Sequence, residues 1–211
     1  MQIAIEAIAV FFGLLSVIFS VRKNIWVYPT GIISTALFVY ILYQFGLLGD
    51  MMINFYYTVM SIYGWIMWNK SSTDHVHVEV SWTTRKEWVF AAVLFLLSLI
   101  FVTVVYYYKP WFDNGFSFAG IFPNLEHLDW ANWLDVFTTA IFLVGMWLMA
   151  KRRVENWIFW IIGDLISVPM YLYKELGLTS FQYLVFTALA VIGYREWKKS
   201  VKNAANSSER Y

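Results

Sequence analysis

Between positions 88 and 108 the chain reads WVFAAVLFLLSLIFVTVVYYY, an apolar run without a single charged side chain. A helix rising about 1.5 Å per residue needs about 20 such residues to cross a hydrocarbon core about 30 Å thick, so this run reads as a membrane span. Six further stretches pass the same test, at 3–21, 26–45, 51–68, 131–150, 157–173 and 180–197. Trp26, Trp68, Trp88, Trp157, Trp197 and the Tyr106 to Tyr108 cluster mark their ends, where amphipathic rings prefer the headgroup level. Composition agrees. Of 211 residues 60% are hydrophobic and 14% charged, whereas a soluble domain carries about 25% charged residues. A formal net charge of +1 gives no field to attract nucleic acid. The chain has no Cys, which excludes disulfides, thiolate metal sites and cysteine nucleophiles.

The first run reads as an expected span rather than a secretory leader. Glu6 is its only charge, and Arg22 and Lys23 follow the apolar stretch instead of preceding it. In a seven-span arrangement thirteen of the fifteen Lys and Arg residues fall on one side, with only Lys109 and Lys174 on the other. A Lys/Arg excess marks the cytoplasmic side, so the expected topology has the N-terminus outside and the C-terminal tail inside. The long connection at 109–130, with Pro110, Gly115, Gly120 and Pro123, is expected to hold a short interfacial helix or lid.

An internal repeat organises the spans. Tyr63-Gly64-Trp65-Ile66-Met67-Trp68 closes the third, and Ile192-Gly193-Tyr194-Arg195-Glu196-Trp197 closes the seventh. Upstream, Trp26, Tyr40 and Gly46-Leu47 align with Trp157, Tyr171 and Gly177-Leu178 at a spacing two residues wider. The expected fold is therefore all-α and integral to the membrane. Two parallel three-helix bundles, at 1–70 and 131–199, are joined by a segment 71–130 that carries a linking helix, and 200–211 form a tail. Parallel repeats around a central site are a transporter device.

Ionisable residues inside a span cost about 2.5–3.5 kcal/mol at its centre, so Asp164 is a functional candidate. Trp157, Trp160, Asp164 and Ser167 share one helical stripe, offering two indole faces and a carboxylate to an aromatic cation. Asn54, Tyr57 and Ser61 make a second stripe, with Tyr63 and Trp65 near its end; Gln182, Tyr183 and Thr187 add a third. Against this, the two indoles also suit an interfacial belt, the tyrosines suit packing, and Asn54 suits interhelical hydrogen bonding. His75, His77 and His127 fall in loops and read as solvated, so no metal or cofactor is implied. At the wider spacing Trp160 and Asp164 fall opposite Pro29 and Ile33, which predicts a lopsided pocket. Gly31, Gly163 and Pro169 are the expected points of flexure.

Asn54-x-x-Tyr57 with Tyr63-Gly64-Trp65-x-x-Trp68, then Trp157-x-x-Trp160 running into Gly163-Asp164-x-Ile166-Ser167, and Gly193-Tyr194-x-x-Trp197 resemble the PnuC nicotinamide riboside transporters over nearly the whole chain. The resemblance implies a homotrimeric bacterial inner-membrane vitamin transporter of SWEET-like architecture. It further implies facilitated diffusion, with a cytosolic nucleoside kinase trapping the substrate. The substrate-binding residues expected from the stripes above are Asn54, Tyr57, Tyr63, Trp65, Trp157, Trp160, Asp164, Ser167, Gln182 and Tyr183. Thiamine, also an aromatic cation, and riboflavin remain open as cargo. A retinal protein lacks its lysine in the last span, an ATP-driven pump lacks a phosphate-binding loop, and an intramembrane hydrolase lacks a membrane-depth histidine. The residues read as a carrier, not an enzyme.

Overall fold

The computed structural model describes residues 2–44, 48–70, 79–115, 122–173 and 177–208. Among these it has seven helices: α1 (Gln2–Val21), α2 (Val27–Gln44), α3 (Leu48–Asn69), α4 (Arg85–Asp113), α5 (Trp130–Ala150), α6 (Asn156–Tyr173) and α7 (Gly177–Ser208). Every expected span is a helix. Two run longer than expected: α4 continues through Pro110, and α7 carries on into the tail. Of the connection expected to hold a short interfacial helix or lid, 109–113 continue α4 and 122–129 contain no helix, while 116–121 lie outside the described residues, as do His75 and His77.

Consecutive helices pack together in the order α1–α2–α3 and again α5–α6–α7, while α1 leans on α7 and α3 on α5. Helix α4 stands outside this ring and packs mainly on α5. Its outward residues are bare: Val89, Leu96, Leu97 and Ile100 are each more than half exposed. A contiguous apolar face of this kind suits hydrocarbon rather than water, and α4 and α5 are each long and apolar enough to cross a membrane.

The same turn follows α1 and α5. Lys23 and Arg152 adopt left-handed φ values of 56° and 61°, a conformation costing an L-residue about 1–2 kcal/mol. Each caps its helix in the same way. Lys23 N donates to Ser20 O and Asn24 N to Phe19 O, while Arg152 N donates to Met149 O and Arg153 N to Leu148 O, all at 2.9 Å. The partners differ by 129 positions throughout, and the shift carries on through Tyr28 and Trp157 at the starts of α2 and α6. One offset therefore relates the two triplets here. The wider spacing read from Trp26 and Trp157 is corrected: Trp157 corresponds to Tyr28, because the hydrogen-bonded turn leaves no room for two extra residues.

The segment before α4 is tied to the α5–α6 turn. Ser81 N donates to Arg152 O at 3.1 Å and Val154 N to Ser81 O at 3.0 Å, an isolated parallel bridge. Both Glu155 carboxylate oxygens accept from Thr83 N at 3.0 Å. Arg153 pairs with Glu87 at 2.7 Å and also binds Ser81. Thr84 and Glu87 form a reciprocal cap that starts α4.

Candidate substrate site

Between the two triplets lies a cavity of about 650 Å³, lined from α1, α2, α3, α5, α6 and α7. It collects eight of the ten expected residues. From α6 come Trp157, Trp160, Asp164 and Ser167; from α3, Asn54 and Tyr57; from α7, Gln182 and Tyr183. Tyr63 and Trp65 stand away from it. The Lys151 ammonium sits 5.8 Å from the Tyr63 ring centre, and Trp65 is 43% exposed. They follow Tyr57 on α3 by six and eight residues and so leave its face, since a helix face repeats every three to four residues; Tyr63 is half-buried and Trp65 exposed.

The wall on the α5–α7 side is a ladder of rings. Trp160 stacks on Phe142 with centres 5.3 Å apart, Phe142 faces Tyr183 at 6.3 Å, and Tyr183 faces Tyr171 at 5.1 Å. Gly163 makes room for it: a Cβ there would stand 2.3 Å from Phe142 Cε1. The α1–α3 side is small and hydroxylated. At the 129-residue offset Phe142 corresponds to Gly13, Trp160 to Gly31, and Asp164 to Thr35. The hydroxyls there are already anchored: Ser34 donates to Ala9 O at 2.7 Å, Ser16 to Val27 O at 2.8 Å, and Thr35 shares a 2.8 Å bond with Thr58. Each retains lone pairs to accept from a ligand hydroxyl.

Asp164 is 3% exposed, and it is not the cavity's only acid. Glu6 on α1 and Asp135 on α5, again 129 positions apart, line the same space, with Asp135 accepting a hydrogen bond from Tyr106 of α4. No Lys, Arg or His is among the described lining residues. The basic residues gather instead at the turns after α1 and α5, where burial and then neighbouring Arg153 hold the Arg152 guanidinium below its ordinary pKa. Sequence reasoning missed Phe142, Tyr171, Glu6, Asp135 and Tyr28. Glu6 and Asp135 carried a usable signal, since the offset of the Trp68 and Trp197 motifs also relates these two acids.

A ring of membrane helices around a deep cavity of aromatic and acidic side chains defines a small-molecule transporter. Residues 3–199 match the family of nicotinamide mononucleotide transporters, and the chain belongs to it. It is 25% identical to the nicotinamide riboside transporter PnuC of Escherichia coli, over 94% of this chain and 86% of that protein. It is 26% identical to the PnuC of Neisseria mucosa (94% and 73%) and 23% identical to the riboflavin/roseoflavin transporter RibM of Streptomyces davaonensis (88% and 80%). Its fold is similar to the crystal structure of the vitamin B3 transporter PnuC, with a TM-score of 0.67 and 25% identity over 94% of this chain and 82% of that one.

Proposed function

We propose that this protein carries nicotinamide riboside across the bacterial inner membrane. The observation that carries the reading is the cavity's charge: Asp164, Asp135 and Glu6 line it together with stacked rings, and no basic side chain joins them among the described lining residues. A buried carboxylate needs a counter-charge. A pyridinium supplies it, and its ring gains about 0.5–2 kcal/mol against an indole face. The hydroxylated side, with Ser16, Ser34 and Thr35, suits a ribose. Phosphorylation adds negative charge, so the same carboxylates disfavour the mononucleotide and favour the riboside. That supports facilitated diffusion, with a cytosolic kinase making a product that this cavity does not return.

In this reading α1–α3 and α5–α7 are parallel repeats about an axis along the membrane normal, α4 links them, and the basic end of the cavity faces the cytoplasm. The exposed α4 face meets lipid or neighbouring subunits of a homotrimer. Calorimetric titration of purified protein with nicotinamide riboside, thiamine and riboflavin tests the cargo, with Trp160→Ala and Asp164→Asn alongside. Binding of nicotinamide riboside alone, weakened about tenfold or more by each change, is expected. Binding of thiamine or riboflavin instead moves the protein to another cargo, and Asp164→Asn with full affinity removes that carboxylate from the site.

A further inference from the structure

At the basic end of the cavity the floor is made by Tyr28, at the start of α2, and Trp157, at the start of α6. The two occupy corresponding places at the 129-residue offset. Tyr28 is fully buried and Trp157 is 2% exposed. Each ring is wedged against a glycine of the following helix. A Cβ at Gly64 would stand 2.3 Å from the Tyr28 ring, and one at Gly193 would stand 2.6 Å from Trp157. Each also meets an indole edge-on, Tyr28 against Trp68 at 5.0 Å and Trp157 against Trp197 at 5.6 Å.

These contacts satisfy the carbon surface and leave the polar atoms over. Tyr28 Oη and Trp157 Nε1 are buried with no hydrogen-bond partner among the described residues. The indoles of Trp68 and Trp197 beside them are paired, donating to Met149 O at 3.2 Å and Ser20 O at 2.9 Å. Within this four-ring cluster the orphaned atoms belong to the two rings that line the cavity. Native proteins leave few buried donors unpaired, and one beside a cavity marks a place where a ligand or a water completes the bond.

We propose that Tyr28 is a substrate-contacting residue whose hydroxyl, together with the Trp157 N–H, receives an uncharged substrate group offering one acceptor and one donor. The indole N–H only donates, whereas the phenol both donates and accepts, so the matching group accepts from Trp157 and donates to, or accepts from, Tyr28. A primary carboxamide or an alcohol meets that demand. A carboxylate or phosphate is disfavoured by Asp164, Asp135 and Glu6 in the same lining rather than by the floor itself, since the Arg152 guanidinium lies near Tyr28. The inference rests on nicotinamide riboside as cargo, which carries a carboxamide at one end and a primary hydroxyl at the other. Trp160 and Asp164 follow Trp157 by three and seven residues on α6, a rise of about 4.5 and 10 Å. A pyridinium over Trp160 therefore leaves one of its neutral ends within reach of the floor.

Tyr28→Phe keeps the ring and removes the hydroxyl. Calorimetric titration compares wild type and variant with nicotinamide riboside, with pyridine riboside, which lacks the carboxamide, and with the 5′-deoxy riboside, which lacks the primary hydroxyl. The variant is expected to bind nicotinamide riboside about tenfold more weakly at an unchanged melting temperature. That penalty is expected to vanish for whichever analogue lacks the group held by the floor, which assigns the group. Trp157→Phe reads the same pairing from the other side and is expected to lose its penalty on the same analogue. Equal affinity of Tyr28→Phe and wild type overturns the assignment, as does one penalty common to all three ligands, which reads ring packing alone. Wild-type protein that fails to bind nicotinamide riboside rejects the cargo and this inference with it; wild-type binding that ignores Tyr28→Phe rejects the floor only.

Discussion

Trp68 and Trp197 meet with ring centres 5.9 Å apart and planes tilted by 49°, and each sends its hydrogen bond into the other triplet. Trp68 of α3 donates to Met149 O of α5, and Trp197 of α7 donates to Ser20 O of α1. Ser20 and Met149 are themselves 129 residues apart, and the Ser20 hydroxyl donates to Met149 Sδ at 3.3 Å. The two bonds are thus reciprocal and cross the boundary between the triplets at the basic end. With Tyr28 and Trp157 on either side, four rings fill that end of the cavity. Any movement that parts the triplets there has to break both bonds.

Trp68→Phe and Trp197→Phe each remove one crossing bond, while Met149 O and Ser20 O keep the turn bonds from Arg152 N and Lys23 N, so each change costs about 0.5–1.5 kcal/mol. The reciprocity predicts similar losses of melting temperature for the two variants. It also predicts a looser basic end. Because the chain has no Cys, Ser61→Cys places a single thiol on the cavity wall. Its alkylation by a reagent supplied from the basic side is expected to be faster in the Trp197→Phe background. An unchanged labelling rate would show that these bonds do not hold that end shut.

Glu155 is 8% exposed and spends both carboxylate oxygens on Thr83, accepting from its N–H and, at 2.7 Å, from its hydroxyl. Glu155→Ala strands those donors beside the Ser81 bridge, and the segment leading into α4 loses its tie to the α5–α6 turn. Hydrogen exchange at the Thr83 amide is expected to rise about tenfold or more, with a lower melting temperature. Glu155→Gln, which keeps one acceptor oxygen, is expected to fall between the two. Exchange at Thr83 as slow as in wild type would contradict this account.

The helices were legible because hydrocarbon admits few patterns: seven apolar runs became seven helices, with α4 the plainest. The α6 stripe was legible for the same reason, since Trp157, Trp160, Asp164 and Ser167 follow from helical spacing alone. Tyr63 and Trp65 misled because their motif marks the end of α3, where Gly64 admits the Tyr28 ring, rather than a cavity wall. Phe142 was hidden in the uniformly apolar α5, and only the tertiary fit of Gly163 distinguishes it from its neighbours. The correspondence of Tyr28 with Trp157 was obscured by Trp26, an exposed belt residue that offered a tempting but false register.

Glu6 and Asp135 lie on the first helix of each triplet, about two turns of helix or less from its start and far from the basic turns at its other end. Both line the cavity, which gives it an acidic approach that raises the local concentration of a cation. Glu6→Gln and Asp135→Asn are each expected to raise the KM for uptake several-fold with little change in maximal rate, and together to blunt the inhibition of uptake by salt. Asp135→Asn keeps an acceptor for Tyr106, so its effect reads charge rather than a lost hydrogen bond. An unchanged KM in the double variant would show that these carboxylates do not act on the cargo.

Gly163 and Phe142 form an interlock that the other triplet makes in small residues, Ser34 against Gly13. A Cβ at position 163 would lie 2.3, 2.8 and 2.9 Å from Phe142 Cε1, Cζ and Cδ1, so the ring must leave its place. Leaving it also breaks the 5.3 Å stack with Trp160 and the 6.3 Å contact with Tyr183. Gly163→Ala is therefore expected to cost about 1–3 kcal/mol of stability and to weaken cargo binding through a displaced Trp160. Phe142→Leu in the same chain relieves the clash without restoring the stack. The double variant is expected to recover melting temperature but not affinity. Recovery of both would mean that Phe142 only fills space, and recovery of neither would mean that α6 itself moves when position 163 gains a side chain.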